Sequence, residues 1–466
     1  MRWVLRIVGG ILGSAFLLYL ALPPINQGFL GWVALVPILL GIRQTRFSVG
    51  FLSGILIGVL MAVFAAAGIA NASTHVGTSA DWIYAGFTLF GLVLGAGLGV
   101  FAAAKRFTWR ECVFIPAWAV LFEACSLVGF PMHIGLTQHQ NFVPLLLASV
   151  GGIWLVSYVV WLVNIVLTWL IITPQNEVPR KALGAWAALG FVGGHSIPAP
   201  LAKDAALGKR IAVIQTNSVD TKGLTMLHAT AAYGSDLVIW PESAGGAFVT
   251  AGDTSELARL SESTPFITSF SDKSQPLPFN TACLFADGAE QPARYHKRKP
   301  FAGEINFHQP GKKAAKTRWQ ELNIGLNICF DSCYPAVMRD TALLEGVNLI
   351  ALPTLDPDTP FGVIQAIHAA YTPFRCAELG VPIVRADTTA YSALYLPFTR
   401  PRFADPAQDG SAMKVYKVDR RRIGPMYLAL GDWWLWICGS LALFGIALRD
   451  RSKDKSTVVT EEPTLP

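Results

Sequence analysis

Charged side chains are scarce in this 466-residue sequence, at 15% against 52% hydrophobic residues. The scarcity is uneven. Residues 1–173 hold ten of them: Arg2, Arg6, Arg43, Arg46, Asp81, Lys105, Arg106, Arg110, Glu111 and Glu123. The remaining 58 lie in the other 293 residues. A soluble domain of that length would need a far more charged surface. Cysteine is scarce too. The seven, at 112, 125, 283, 329, 333, 376 and 438, show no CxxC pairing, which excludes a zinc-ribbon spacing and a secreted disulfide scaffold. The net charge of +6 is small for the length and carries no nucleic-acid signature. With no metal cluster, dinucleotide loop or phosphate loop either, no cofactor is expected. The high hydrophobic content excludes intrinsic disorder.

What is abundant is apolar sequence in runs. Stretches at about 3–22, 28–42, 47–70, 82–104, 112–129, 145–172, 182–198 and 426–447 predict eight transmembrane helices, the first retained rather than cleaved. Arg43 and Arg46, then Lys105, Arg106 and Arg110, then Arg180 and Lys181 mark every second short loop, while the loops around 23–27, 71–81 and 130–144 contain no Lys or Arg. The positive-inside rule then puts both termini in the cytoplasm and residues 199–425 outside it. The expected division is 1–198 for helices one to seven, 199–425 for an extracytoplasmic domain, 426–447 for helix eight and 448–466 for a disordered cytoplasmic tail. Glu123 falls inside the fifth span, where an ionisable group is costly: it reads either as functional or as a bundle-facing Glu hydrogen-bonded to a neighbouring helix. His195 is expected at the interface, Trp433, Trp434 and Trp436 in an aromatic belt, and Cys112, Cys125 and Cys438 as packing residues within spans.

Residues 208–419 have a different rhythm. Short strands are expected at 210–215, 236–240, 266–270, 281–285, 324–328, 347–352, 382–386 and 391–395, and helices at 254–262, 334–345 and 363–379, an α/β pattern. Two expected strands run into reactive side chains. Val238-Ile239-Trp240-Pro241 leads to Glu242, and Asn327-Ile328 leads to Cys329 and on to Asp331. A third motif, Tyr295-His296-Lys297, stands ahead of Pro300-Phe301-Ala302-Gly303-Glu304. Each alone has a bland explanation: a solvated loop Glu, a solvated Lys, a buried Cys. Together, a carboxylate able to deprotonate a thiol and an ammonium able to stabilise an oxyanion suit acyl transfer through a thioester. Of the two neighbouring thiols, Cys329 follows a strand directly, whereas Cys333 lies in the turn before the next helix. A Cys329–Cys333 disulfide is not expected across so tight a corner.

The order Glu, Lys, Cys with W-P-E, Y-x-K and I-C-F-D resembles the nitrilase superfamily of carbon–nitrogen hydrolases. Gly129-Phe130-Pro131-Met132-His133-Ile134-Gly135, Val150-Gly151-Gly152-Ile153-Trp154 and Arg375-Cys376-Ala377-Glu378 narrow the resemblance to the apolipoprotein N-acyltransferase family. That resemblance implies a membrane helix bundle carrying an αββα sandwich. It implies Cys329 as nucleophile, Glu242 as general base and Lys297 as oxyanion stabiliser, with Glu304 and Asp331 in support. It also implies a phospholipid acyl donor, a lipoprotein acceptor and a bacterial inner-membrane location. No nucleic-acid partner is expected, and the protein is expected to act as a monomer. A membrane-tethered amidase and an inert scaffold are the competing readings. The departures are an extra residue before Glu304, Pro353-Thr354-Leu355-Asp356-Pro357 where the family has N-D-x-W-F, and Arg385-Ala386-Asp387-Thr388-Thr389-Ala390 where it has R-x-x-N-[TS]-G.

Overall fold

The computed structural model describes residues 2–69, 81–104, 108–125, 131–172, 184, 190–218, 220–250, 252–286, 293–301, 303–356, 363–404, 411–419 and 422–457. The N-terminal part is helical: α1 (Arg2–Ala21), α2 (Val36–Ile42), α3 (Phe47–Ile69), α4 (Asp81–Ala102), α5 (Trp109–Cys125) and α6 (Phe142–Ile172). Among the described residues, three helices are long and apolar enough to cross a membrane: Arg2–Ala21, Phe47–Phe64 and Phe142–Ile172. The stretch expected as the second span is instead a 3₁₀ turn, Gly28–Trp32, and the seven-residue α2. At 1.5 Å per residue such a piece falls well short of a ~30 Å hydrocarbon core. Of the expected seventh span, residues 182, 183 and 185–189 lie outside the described residues.

Close packing in the bundle depends on glycine. A Cβ on Gly54 would lie 2.2 Å from the Gly95 backbone, and one on Gly58 would lie 2.5 Å from the Phe87 carbonyl, so α3 and α4 touch backbone to backbone. Glu123 on α5 faces α6 as expected, accepting from Trp161 Nε1 at 3.1 Å. Cys125, expected as a packing residue, is exposed at the helix end. His195 stacks on Phe191, with ring centroids 3.5 Å apart.

The second part is a two-sheet sandwich. One sheet contains β1 (Lys209–Gln215), β2 (Leu237–Ile239), β3 (Phe266–Asp272), β4 (Phe279–Phe285) and β5 (Arg294–His296). The other contains β6 (Ala315–Trp319), β7 (Leu322–Leu326), β8 (Leu349–Thr354), β9 (Ile383–Asp387), β10 (Ala393–Tyr395) and β11 (Arg402–Phe403). A last strand, β12 (Ala412–Val418), returns to pair antiparallel with β1 at the edge of the first sheet. The sheets meet face to face, β1 against β9 and β3 against β8. The outer layers include α7 (Thr221–Ala232), α8 (Ser255–Ser261), α9 (Pro335–Ala342), α10 (Val363–Ala369) and α11 (Tyr371–Leu379). The span expected as one helix, 363–379, is two, because Pro373 has no N–H to bond the Ala369 carbonyl.

The two parts are joined at a break in α6. Gly151 (φ −120°) and Gly152 (φ +69°) interrupt the helix, and a Cβ at Gly152 would lie 2.5 Å from the Tyr427 ring. The interruption creates a new helix start, whose Ile153 N–H donates to Glu378 Oε1 of α11 at 2.8 Å. Trp154 Nε1 and the Tyr427 hydroxyl both donate to Asp432 Oδ1. Two closing helices follow, α12 (Met426–Leu430) and α13 (Trp433–Thr457), the second running ten residues past the end expected at 447. Trp433 donates to the Val150 carbonyl, while Trp436 is exposed.

Candidate active site

The site lies on the seam between the sheets. β2 ends at Ile239, and Pro241 stops the strand so that the chain turns at Ser243, which is left-handed (φ +65°). This places Glu242 against the second sheet, its N–H donating to the Thr354 carbonyl at the end of β8 at 3.2 Å. On that sheet β7 ends at Leu326, and Asn327 and Ile328 stay extended. Cys329 then takes a left-handed backbone (φ +48°) and opens a 3₁₀ turn, Cys329–Cys333. The strand has the expected length but begins and ends two residues earlier, at 322–326 instead of 324–328, with the thiol on the turn that follows. Lys297 leaves β5 and is anchored by its own N–H on the Asn280 carbonyl of β4 at 2.8 Å.

Glu242, Lys297 and Glu304 form one buried cluster. Lys297 Nζ donates to Glu242 Oε1 at 2.9 Å and to Glu304 Oε2 at 2.6 Å. Asn280 Nδ2 donates to Glu242 Oε1 at 2.6 Å and to Glu304 Oε1 at 2.8 Å, so one amide clamps both carboxylates. The residue inserted before Glu304 has not displaced it from the cluster, because the Phe301 N–H also donates to its Oε2. Leu355 connects the carboxylate to the thiol: its N–H donates to Glu242 Oε2 at 2.8 Å, and its carbonyl faces Cys329 Sγ at 3.7 Å.

Burial works against every charge here, and the partners decide the outcome. Burial alone would discharge Lys297, but the carboxylates of Glu242 and Glu304 hold its pKa well above the ordinary value. Burial opposes ionisation of Glu304, yet Lys297 and Asn280 hold its carboxyl below the usual range. The Cys329 thiol is pushed well up, first by burial and then by Glu242, with Lys297 pulling the other way. The resting thiol is therefore protonated, and any reaction of it as a nucleophile would need a base to take that proton.

Asp331 stands behind this cluster. It accepts from the Tyr295 hydroxyl at 2.6 Å, the Lys299 N–H at 2.9 Å and the Ile328 N–H at 3.0 Å, tying β5 to the start of the Cys329 turn. Burial raises its carboxyl to about 6 despite these donors. Cys333 is buried and is a free thiol, as is Cys329. Cys329, Asp356 and His368 bring three potential ligand atoms within 4.8 Å of one another, a grouping that sequence spacing could not reveal. It suits a cation poorly, because Asp356 is ion-paired to Arg385 and His368 is hydrogen-bonded at both ring nitrogens. Sequence reasoning did not single out Asn280, Ser332 or His368, and Tyr295 entered only as the first letter of the Y-x-K word. Asp356, Arg385 and Asp387 were visible only as departures from a family pattern.

Comparison with known proteins adds to this geometry. Residues 210–409 match the carbon–nitrogen hydrolase family, so the two-sheet domain is a nitrilase-superfamily domain. Residues 14–166 match the apolipoprotein N-acyltransferase N-terminal domain. Relatives named apolipoprotein N-acyltransferase include one from Geobacter metallireducens, 25% identical over 94% of this chain and 95% of its own length. Another, from Pseudomonas aeruginosa, is 25% identical over 81% of this chain and 86% of its own. Among solved structures, the amidase from Nesterenkonia sp. AN1 is 19% identical, covering 49% of this chain and 98% of its own, with a TM-score of 0.40. The chain belongs to the apolipoprotein N-acyltransferase family, with its membrane-type N-terminal domain and its carbon–nitrogen hydrolase domain in one polypeptide.

Proposed function

We propose that this protein moves an acyl chain from a phospholipid to the N-terminal amine of a diacylglyceryl-cysteine lipoprotein, through a thioester on Cys329. The observation that carries the proposal is the joint hold on Leu355: the carboxylate of Glu242 and the thiol of Cys329 sit on the N–H and the carbonyl of one residue. Lys297 is bonded to that same carboxylate.

The protonated thiol gives its proton to Glu242 as sulfur attacks the ester carbonyl. Negative charge moves to the carbonyl oxygen, where the Lys297 ammonium stabilises it. The tetrahedral intermediate collapses with loss of the glycerol oxygen, which takes the proton from Glu242 and leaves as a lysophospholipid. The lipoprotein amine then attacks the thioester and gives its proton to Glu242. Collapse expels the Cys329 sulfur, which is reprotonated, and an amide is released. Glu304 and Asn280 keep Lys297 charged and the Glu242 carboxylate oriented. Asp331 fixes the turn that carries the thiol.

The membrane half supports the choice of substrates, since both are lipid-anchored and their acyl chains need an apolar setting. Loop charges support a catalytic domain on the outer face of the cytoplasmic membrane, with both termini inside. The competing amidase reading differs only in the group that resolves the thioester. Incubating the purified protein with a phospholipid and a diacylated lipopeptide separates the two. Transfer of the acyl chain to the peptide amine supports the proposal; release of free fatty acid with no acylated peptide contradicts it.

A further inference from the structure

Five buried groups behind the thiol take no part in the steps above. Arg385 Nη2 bonds both Asp356 Oδ2 and Asp387 Oδ2, so two carboxylates share one guanidinium. His368 Nδ1 lies 2.7 Å from Asp356 Oδ1 and 3.4 Å from Arg385 Nη2. Its other nitrogen, Nε2, lies 3.0 Å from Ser332 Oγ and 3.3 Å from the Cys329 carbonyl. Ser332 Oγ also donates to that carbonyl at 2.8 Å. All five side chains are buried.

The hydrogen bonds fix where the protons are. A carbonyl can only accept, so the contact from His368 is favourable when Nε2 carries hydrogen. Ser332 then accepts from Nε2–H and passes its own hydrogen to the Cys329 carbonyl. With the proton on Nε2, Nδ1 is the acceptor, and Asp356 meets it as the carboxyl that keeps a proton. The charge balance agrees: one guanidinium neutralises one of the two carboxylates, and burial raises the carboxyls of both Asp356 and Asp387. Burial and Arg385 lower His368 to about 3, so it is neutral and is no general base near pH 7.

Two of these groups, Ser332 and His368, contact the carbonyl of Cys329, whose backbone is left-handed at φ +48°. A residue with a Cβ stays in that region only where its surroundings hold it there. We propose that His368, kept in its Nε2–H form by Asp356, Arg385 and Asp387, is a positioning residue for the nucleophile. With Ser332 it pins the Cys329 carbonyl and so aims the thiol at Leu355 and Glu242. The peptide plane is rigid, so the same anchor also sets the direction of the Phe330 N–H. The inference rests on the reading of Cys329 as nucleophile, but not on the identity of the acyl donor or acceptor.

The test uses the full-length protein in detergent and two readouts. One is the rate at which chloroacetamide alkylates Cys329, located by peptide mass, and it needs no lipid. The other is the rate and phospholipid dependence of acyl-enzyme formation. His368→Phe keeps an aromatic ring of similar size but has no donor, and both rates should fall, by ~10²-fold for a misaimed nucleophile, with KM for phospholipid little changed. His368→Gln returns an N–H near the Nε2 position and should recover most of that loss. Ser332→Ala, a smaller change and so a safeguard against misfolding, should lower both rates in the same direction. The proposal is overturned if His368→Phe or Ser332→Ala reacts at the wild-type rate, or if His368→Gln is as slow as His368→Phe. If alkylation shows this dependence while the wild type forms no acyl-enzyme, the positioning role stands and the acyl-transfer reading fails.

Discussion

Replacing Lys297 by Met separates chemistry from charge balance. The ammonium is 2% exposed and is bonded to the buried Glu242 carboxylate at 2.9 Å and to the half-buried Glu304 carboxylate at 2.6 Å. Removing it leaves Glu242 and Glu304 facing each other across Asn280 with no cation between them. Breaking a buried pair in this way costs about 3–5 kcal/mol of stability. The loss has a pH signature. Lys297 helps hold Glu304 below the usual carboxylate range, so without it a carboxyl of the pair titrates higher, and the variant should regain stability as pH falls. The rate loss has another origin. Without an oxyanion donor, thiol acylation should slow by ~10²–10³. The double variant Lys297→Met with Glu304→Gln removes the leftover charge and should recover much of the melting midpoint but none of the rate. Thermal unfolding in detergent and intact-mass detection of the acyl-enzyme read the two quantities separately. If the double variant recovers acylation together with stability, Lys297 is only a counterion and the oxyanion role is wrong.

Three further outcomes follow from the same geometry. Arg298 reaches out to Asp340 and the Val337 carbonyl instead of the carboxylate cluster, so Arg298→Ala should keep most activity; a loss like that of Lys297→Met would show a misassigned basic run. Asp387 is pushed up to about 7, chiefly by burial, so its folded form binds a proton more tightly than the unfolded chain does. Its contribution to stability is therefore complete below about pH 4 and lost as pH rises toward 7; the melting midpoint should fall across that window, and Asp387→Asn should flatten the fall. For topology, a reporter active only outside the cytoplasm should signal when fused near residue 260 and stay silent at residue 455, and the reverse would place the catalytic domain on the wrong face.

The parts of the site that could be read from sequence are those encoded locally. Leu237-Val238-Ile239 and Leu322 to Leu326 are short apolar strands that stop on polar words, and each delivers its reactive residue to the seam. Asn280 gave no such signal. It is one amide near the start of β4, and its role exists only because residues 242 and 304 fold against it. His368 was hidden for the same reason, one polar side chain in an apolar helix whose partners come from residues 329, 332, 356 and 385. Among the elements, α7 was missed because only Leu224, His228 and Ala231 are buried along its length. The edge strand β12 was missed because Lys414 and Lys417 break up its apolar pattern. The second membrane stretch, 28–42, is apolar throughout, but it folds as a 3₁₀ turn followed by a seven-residue helix instead of one long helix.

The measurement that tests the central claim most directly is the intact mass of the protein after incubation with a phospholipid of defined acyl chains. The account predicts a single acyl adduct on Cys329, lost on treatment with hydroxylamine as a thioester would be. It should be absent in Cys329→Ala, retained in Cys333→Ala and discharged when a diacylated lipopeptide with a free amine is added. An adduct that survives in Cys329→Ala, or that vanishes in Cys333→Ala while Cys329→Ala keeps it, would contradict the assignment of the nucleophile.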